Sequence, residues 1–349
     1  MKQVPPSEKA AVAILYNVDF EETASEADPG HAARADVAAV ARAVFGALDD
    51  GVHFPVLVPV DADLVTLRNR LVELEPRCAF NLCESISGDA RLESAVPLLL
   101  ELMGVSYTGS PPEALATALH KDRVKAALEA AGVPTPRACL MRTGTEAFDL
   151  RLPCIVKPSR EDGSAGISSA SVVHDEAALR ARVAEISAAF RQPCLVEEYV
   201  EGRELNVALF GHPSARVLPL QEIDFSALPP GLPRIVTYEA KWNLGSAEDL
   251  GTRPVLLPDL PDATSARVRR VAQDAFRALG LRDYGRVDLR LDDDGAPWVV
   301  DVNPNCDLSP DAGMARAAAA VGVDYPALVR LLVRYATKRS ARPALRVGG

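Results

Sequence analysis

One stretch of the chain, residues 284–305, spaces two carboxylates, an arginine and an asparagine as the two arms of a β-hairpin would. Its apolar runs flank Asp294-Gly295, a pair that is typical of a two-residue hairpin turn. With that turn, Asp293 faces Ala296 across the ribbon. The pattern therefore predicts a hairpin whose register can be counted outward from this point.

Counting back along both arms places Asp288 opposite Asp301. Two residues further out, Arg286 lies opposite Asn303. Because side chains alternate between the two faces of a strand, all four residues share one face. Carboxylates that lie directly opposite each other repel, so this arrangement requires a nearby cation.

Hard divalent ions such as Mg²⁺ take oxygen ligands and are usually held by one or two carboxylates together with substrate phosphates. Asp288, Asp301 and Asn303 fit that description, with Mn²⁺ as an alternative ion. Arg286 then remains to hold a developing negative charge. The alternative interpretation is an ordinary hairpin with polar residues on its solvent-facing side, which leaves the opposed carboxylates unexplained.

The composition restricts the partners that the chain can have. Its 349 residues suffice for two or three domains, and 48% of them are hydrophobic. A formal charge of −10 argues against a nucleic-acid partner. No apolar run is long enough to span a bilayer, and residues 1–10 lack the apolar core of a signal peptide. The six cysteines form no CxxC pair, so we expect a reducing cytoplasm.

Strand and helix patterns alternate through the first part of the chain. Apolar runs at residues 10–17, 53–60 and 78–83 predict buried parallel strands, and helical patterns at residues 31–48 and 62–74 connect them. This order predicts an open, doubly wound parallel sheet, in which ligands lie beyond the carboxyl ends of the strands.

Two polar loops follow strands of this predicted sheet, at residues 18–30 and 84–89. Their position makes them candidates for the wall of a small-substrate site. The alternative is that they are ordinary solvated loops. Further along, residues 114–131 predict a helix that carries Lys121 and ends at Gly132, before a domain boundary at GVPTP.

A predicted strand at residues 152–157 ends in Lys157, and a second strand at residues 167–173 follows the loop PSREDGSAG. In this loop Gly163 and Gly166 remove side chains, so that backbone N–H groups can approach phosphate oxygens. The pattern favours a phosphate-covering flap. A plain long hairpin is the alternative.

The apolar run of a later strand, at residues 194–200, is interrupted by Glu197 and Glu198, and Glu204 follows. Carboxylates at the end of a strand can accept hydrogen bonds from ribose hydroxyls, while neighbouring backbone groups contact an adenine edge. The alternative is exposed charge at the edge of a strand. Other patterns predict helices and a disordered tail from residue 338, the helices covering residues 175–190, 262–279, 311–320 and 325–336.

Taken in order, Lys121 and the motifs LPCIVKPSREDGSAG, LVEEYVEGREL, YEAKW, YGRVD and VVDVNPN resemble the ATP-grasp superfamily. Within it, the chain is similar to D-alanine–D-alanine ligases over residues 97 to 335. The resemblance implies an α/β protein, α+β in its ATP-grasp part, with a three-domain ATP-grasp fold and an N-terminal open parallel sheet. The expected divisions are residues 1–112, 113–194 and 195–338, with a flexible tail at 339–349.

The resemblance also implies roles for individual residues. Lys121 and Lys157 would contact the α- and β-phosphates of ATP, beneath the flap with Ser164 and Gly166. Residues 197–200 would form the adenine hinge. The remaining implied roles are the ribose contact at Glu204, the γ-phosphate contact at Lys241, the two magnesium ions at Asp288, Asp301 and Asn303, and the reaction centre at Arg286. The hinge residues are Glu197, Glu198, Tyr199 and Val200.

The implied chemistry joins an acid to an amine. A carboxylate attacks the γ-phosphorus of ATP, and the acyl phosphate that results is attacked by an amine through a tetrahedral oxyanion. Closure of the flap at residues 158–166 would exclude water from the acyl phosphate. We expect amino-acid-like small molecules as substrates, and the resemblance also admits a homodimer.

The amino-acid side of the site departs from the pattern of D-alanine–D-alanine ligases. Where those enzymes carry a serine–glutamate signature and a His-Gly-Gly-type loop, this chain has YNVDFEETASEADPGH and NLCESISGDARLES. Gly163 and then Ser164 replace a pair of serines, and Trp242 replaces a tyrosine. The loop that follows Asn303 is also altered. Three alternatives therefore stay open: a ligase for other amino acids or a peptide, a phosphotransferase, and a nucleotide-binding regulatory protein without catalysis.

Overall fold

The computed structural model describes residues 10–18, 37–211 and 213–339. Most of the candidate wall at residues 18–30 and most of the predicted tail lie outside the described residues. In the described part no helix is both long and apolar enough to cross a membrane.

The strands are β1 Ala10–Asn17, β2 His53–Val60, β3 Cys78–Asn81, β4 Ala138–Met141, β5 Cys154–Pro158, β6 Val172–Val173, β7 Cys194–Glu198, β8 Arg203–Gly211, β9 Arg216–Val217, β10 Gln221–Asp224, β11 Arg253–Leu256, β12 Asp283–Leu291 and β13 Pro297–Asn303.

The α-helices of the described residues are α1 Val37–Leu48, α2 Leu64–Leu74, α3 Ala95–Met103, α4 Pro112–Ala118, α5 Lys121–Ala130, α6 Glu176–Phe190, α7 Tyr238–Trp242, α8 Ala247–Leu250, α9 Asp262–Ala278, α10 Gly313–Ala319 and α11 Tyr325–Lys338. The start that the sequence predicts for α1, at residue 31, lies outside the described residues. The later predicted helices agree with α6, α9, α10 and α11 to within two residues at either end.

The N-terminal sheet is parallel, with β1 between β2 and β3, as the alternating pattern predicts. Ile14 packs on one face against α1 and α11, and Leu15 packs on the other against α2 and α3. Burial on both faces explains why the run is apolar throughout. β3 ends at Asn81, two residues before the predicted end of the strand.

The central sheet is antiparallel in the order β4-β7-β5-β6, and α6 covers one of its faces. The prediction of a strand over residues 167–173 is wrong for most of that range, since only Val172–Val173 pairs and Ser169–Ser171 forms a short 3₁₀ helix. The predicted helix at residues 114–131 is broken. His120 has an extended backbone, so Lys121 begins a new helix, and its N–H donates to the carbonyl of Ser159.

The C-terminal sheet runs β11-β10-β8-β12-β13, with β9 paired to β8. α9 covers one face, where Val268, Ala272 and Phe276 pack against β8 and β12. On the opposite face Phe210 and Tyr284 join the hydrophobic core of the N-terminal sheet. The strands β8 and β12 are thus held between two hydrophobic cores.

The predicted pairs of the β12–β13 hairpin are confirmed, with Asp288 opposite Asp301 and Arg286 opposite Asn303. The predicted two-residue turn is wrong. Asp292 closes a longer turn by accepting from the Ala296 N–H, so Asp293 does not face Ala296. A register shift after Asp288 leaves one extra residue on β13, which compensates for the extra turn residue.

The predicted tail begins too early. α11 continues to Lys338, and the side chain of Arg339 forms an ion pair with Asp283 and donates to the carbonyl of Tyr107. Asp283 is completely buried at the start of β12. Lys338 is therefore helical and Arg339 is fixed to the C-terminal sheet, and residues 340–349 lie outside the described residues.

Candidate active site

Asp288 is held by two neighbours on its own face of the sheet. The Arg286 guanidinium donates to both of its carboxylate oxygens, at 2.7 and 2.8 Å. The Asn206 amide, directly opposite on β8, donates at 2.9 Å. Asn206 was missed by the sequence analysis, because only the pairing of β8 with β12 brings it there.

Asp301 faces a different cation. The ammonium of Lys121, at the start of α5, lies 3.4 Å from both Asp301 oxygens and 3.4 Å from Asp162 in the flap. Burial would raise the pKa of Asp301, but the charges of Lys121, Lys157 and Arg286 together lower it. The repulsion expected between opposed carboxylates is thus relieved, because each one has its own protein cation.

Asn303 connects this face to the N-terminal sheet through its neighbour Asn305. The Asn303 side-chain oxygen accepts from the Asn305 N–H at 2.9 Å. The Asn305 amide donates to the Cys83 carbonyl at 3.2 Å and to the Glu93 carboxylate at 2.8 Å. The loop after β3, a predicted substrate wall, therefore borders the predicted metal residues. Glu93 and Asn305 were not identified from the sequence.

The side chains on this face are too few to complete the coordination of a metal ion by themselves. Among the described residues no group of three or more His, Cys, Asp or Glu side chains could hold a metal. Asp288, Asp301 and Asn303 instead supply two carboxylates and an amide oxygen, which fit Mg²⁺ when phosphate oxygens or waters complete its octahedron. The predicted ligands are therefore compatible with metal bound together with a nucleotide.

Lys157 and Glu197 lie on the face of the central sheet that points away from α6. Lys157 donates to Glu197 at 3.1 Å, and Lys125 contacts the second oxygen of the same carboxylate. Glu197 is only 2% exposed, so the alternative of exposed strand-edge charge is wrong for this residue. Lys125 was missed, although its position one helical turn after Lys121 was a usable signal.

Glu198 points to the opposite face of β7, where Arg151 donates to its carboxylate at 2.9 Å. The Arg151 and Arg137 contacts lower the pKa of Glu198 against the opposing effect of burial. Because neighbouring residues of a strand face opposite ways, the side chains of Glu197 and Glu198 cannot share one ligand. Glu198 can contribute to the predicted hinge only through its main chain.

Three of the predicted nucleotide residues converge on Arg290, which the sequence analysis did not single out. Its guanidinium donates to the carbonyl of Val200 at 2.9 Å. It also donates to the Glu204 carboxylate and the Tyr199 hydroxyl, each at 3.2 Å. Arg290 thereby links the predicted hinge to the predicted ribose contact.

The flap rests on the segment that carries Lys241. The Ser164 hydroxyl donates to the Val236 carbonyl, and the Trp242 indole donates to the Gly163 carbonyl, both at 2.9 Å. The Lys241 ammonium lies 5.1 Å from the centre of the Trp242 ring. The flap and the predicted γ-phosphate lysine are thus brought together.

Gly166 is explained by packing. A Cβ at this position would lie 2.7 Å from Pro158 and 2.8 Å from the Phe190 ring, and its φ of +73° disfavours other residues.

Cys306, in the loop after β13, is buried, and burial raises the pKa of its thiol to about 12. A buried thiol with a raised pKa stays protonated at neutral pH, as expected of a packed side chain.

The chain is similar in sequence and in fold to known proteins. The protein family described as D-ala D-ala ligase C-terminus matches residues 138–334. The uncharacterized protein y4sG of Sinorhizobium fredii is 37% identical, over 86% of this chain and 88% of its own length. The D-alanine–D-alanine ligase of Desulforudis audaxviator is 33% identical, over 85% of this chain and 92% of its own.

Solved structures agree with the fold. A D-alanine–D-alanine ligase from Bacillus anthracis complexed with ATP superimposes with a TM-score of 0.71 at 19% identity, covering 95% of this chain and 98% of that one. A second structure of the same enzyme gives a TM-score of 0.73 at 20% identity. At such identities the superposition shows the ATP-grasp fold, and the sequence relatives carry the family relationship.

Proposed function

We propose, from the premise that the chain belongs to the D-alanine–D-alanine ligase family and is an ATP-dependent ligase, that it joins the carboxylate of one amino acid to the amine of another. The observation that carries the proposal is the contact between Lys121 and Asp301. It brings a predicted phosphate lysine from α5 against a predicted metal ligand on β13. The amide bond would form through an acyl phosphate.

Each side chain of the site would have its own role in binding ATP or metal. Lys121 and Lys157 would bind the α- and β-phosphates, and Lys241 would bind the γ-phosphate. Glu204 would accept from a ribose hydroxyl, and the main chain of residues 197–200 would contact the adenine. Asp288, Asp301 and Asn303 would hold two Mg²⁺ ions, which neutralise phosphate charge during transfer.

The reaction requires negative charge to be stabilised twice. In the first step the substrate carboxylate attacks the γ-phosphorus and ADP leaves, while Lys241 holds the transferred group. In the second step the amine, after losing a proton, attacks the acyl carbon and phosphate leaves. A tetrahedral oxyanion forms after the amine attacks and before phosphate leaves. Arg286, already oriented by its two hydrogen bonds to Asp288, would stabilise this oxyanion.

A second substrate pair is a specific alternative, and the loop after β3 favours it. Asn305 binds that loop through the Cys83 carbonyl and Glu93. The loop therefore borders the face of the β12–β13 hairpin that carries the proposed metal residues. Its sequence, NLCESISGDARLES, differs from the His-Gly-Gly type. The same ATP chemistry would then serve amino acids other than D-alanine, in the cytoplasm, where ATP is available and thiols stay reduced.

Release of phosphate and ADP distinguishes these possibilities. The enzyme is incubated with ATP and Mg²⁺, first with D-alanine alone and then with a panel of L- and D-amino acids, and the products are identified by mass. Saturable release with D-alanine and formation of its dipeptide would support the first pair. Release with a different pair would support the second, and substrate-dependent release from no pair would refute the proposal.

A further inference from the structure

A row of three buried charges crosses the boundary between α5 and the central sheet. Lys125 is 6% exposed, Glu197 2% and Lys157 7%. Glu197 lies in the middle, with one carboxylate oxygen toward each lysine. A carboxylate that is this deeply buried requires compensation of its charge, and here it has two cations.

The two lysines are not equivalent. Lys125 donates to the Thr135 hydroxyl at 2.6 Å and lies 3.4 Å from the Pro136 carbonyl, and Thr135 in turn donates to Val299 on β13. Together with Glu197 and the Val299 carbonyl at 3.5 Å, these acceptors outnumber the three donors of the Lys125 ammonium. Among the described residues, Glu197 is the only hydrogen-bond or ion-pair partner of the Lys157 ammonium. Only Lys157 therefore has N–H donors left for a ligand.

The charges add up to one surplus cation. If Glu197 had Lys157 as its single partner, the pair would be neutral, and in a low-dielectric site the carboxylate would compete with any phosphate for that lysine. With Lys125 present, the negative charge of Glu197 is already balanced. The positive charge of Lys157 is then not cancelled within the row of three, so it can act on a bound anion as it acts on Asp301.

We propose that Lys125 is a positioning residue that neutralises Glu197 and thereby frees Lys157 to bind the phosphates of ATP. This inference rests on the proposed placement of the phosphates at Lys157. Burial lowers the pKa of Lys125 to about 8, with Glu197 opposing the shift, so the ammonium form still predominates at pH 7.

A purely structural role for Lys125 is the competing explanation, since its contacts also fasten α5 and the chain at residues 134–136 to β13. The two explanations differ in how the effect depends on ligand charge. Loss of a structural support would weaken adenosine and ATP alike, whereas loss of a counterion would weaken ligands in proportion to their phosphates.

The test uses calorimetric titration of the full-length protein with ATP, ADP, AMP and adenosine. Lys125→Met is expected to weaken ATP binding about tenfold or more, and adenosine binding by less than about twofold. Glu197→Gln leaves both lysines without their carboxylate and should bind ATP more tightly than the wild type, while its adenosine affinity reports whether the main-chain hinge at residue 197 is disturbed. The double variant Lys125→Met/Glu197→Gln keeps the original net charge and is expected to recover most of the lost affinity.

Two results would overturn the inference: equal weakening of adenosine and ATP, or a double variant that binds ATP no better than Lys125→Met. If Lys125→Met does not fold, Glu197→Gln and the double variant still provide the comparison, because they leave no unpaired buried carboxylate. Lys157→Met separates the two proposals. Unchanged ATP affinity in that variant would refute the phosphate placement itself, whereas weakened affinity without rescue in the double variant would refute only the role of Lys125.

Discussion

Asp288 and Asp301 lie directly opposite each other on β12 and β13, yet each carboxylate is paired with a different protein cation. Arg286 holds Asp288 from the same strand, whereas Lys121 reaches Asp301 from α5. The pair is thereby oriented toward one face before any ligand binds. This arrangement is the basis for the predictions on the proposed metal site.

Replacement of Asp301 tests the metal assignment. Asp301→Asn and Asp301→Ala should each abolish turnover, by about a thousandfold or more, because they remove a proposed ligand of the Mg²⁺ ions that would neutralise phosphate charge. The thermal unfolding temperature should change little, since Asp301 is only partly buried and Lys121 keeps Asp162 as an ion-pair partner. The measurement is ADP release at saturating ATP.

The exposed turn residue Asp293 provides a matched control in the same hairpin. Asp293→Asn removes the same charge at the far end of the ribbon and should keep near-normal turnover. An Asp301→Asn enzyme with near-normal rate would refute both the metal assignment and the proposed role of this face.

Replacement by alanine should change the free energy of unfolding in opposite directions at two glycines. At Gly166 the new Cβ would collide with Pro158 and Phe190, and its φ is positive, so Gly166→Ala should lower the free energy of unfolding by about 1–3 kcal/mol. At Gly46, in α1, a Cβ meets nothing within 4 Å, so Gly46→Ala should raise it by about 0.5–1 kcal/mol. Urea unfolding of both variants measures the difference, and equal effects would contradict the packing argument.

Trp242 should keep water away from the activated acid. Trp242→Phe removes the N–H that donates to Gly163 in the flap but keeps an aromatic ring. We expect more phosphate released per amide formed. A flap without this hydrogen bond would close less completely and admit water to the acyl phosphate. Trp298→Phe, at the indole that bonds Asp292 in the β12–β13 turn, provides the control and should leave this ratio unchanged. An unchanged ratio in Trp242→Phe would argue against a closing role.

Arg339 should contribute strongly to stability despite its position near the C-terminus. Its guanidinium is the ion-pair partner of the fully buried Asp283, so Arg339→Ala leaves that carboxylate without its cation. The free energy of unfolding should fall by about 3 kcal/mol. Lys338→Ala, at the exposed neighbouring position, should change it by less than about 0.5 kcal/mol, and similar losses in both variants would rule out the ion pair as the cause.

Glu93 should make stability depend on pH. Burial raises its pKa from the ordinary 4.5 to about 8, against the opposing effect of the Asn305 bond and with support from Asp162 and Glu84. The folded state therefore binds a proton that the unfolded state releases, and this stabilisation is complete below pH 4.5 and lost as the pH rises through about 8.

Unfolding by urea between pH 5 and about 8 measures this effect against Glu93→Gln, which cannot titrate. The wild type should lose stability relative to the variant with a slope of at most about 1.4 kcal/mol per pH unit, the limit for one proton. Parallel pH profiles for the two proteins would show that Glu93 ionises normally.

The local patterns of the sequence determined much of this protein. Continuous apolar runs identified the parallel strands, and counting outward from the predicted turn placed Asp288 opposite Asp301 even though that turn was one residue too short. That pairing was obtained because the extra turn residue and the bulge cancel. The order of the lysine, glutamate and aspartate motifs sufficed for the ATP-grasp fold, which the structural superpositions confirm.

The tertiary structure decided which side chains from distant segments meet. Asn206 reaches Asp288, Lys125 shares Glu197 with Lys157, and Asn305 binds Glu93, although each contact joins residues far apart in the chain. No local period encodes such contacts, because they depend on how the sheets and α5 pack together. Strand alternation fixes the face on which a side chain lies, and only packing brings the faces of separate sheets into one site.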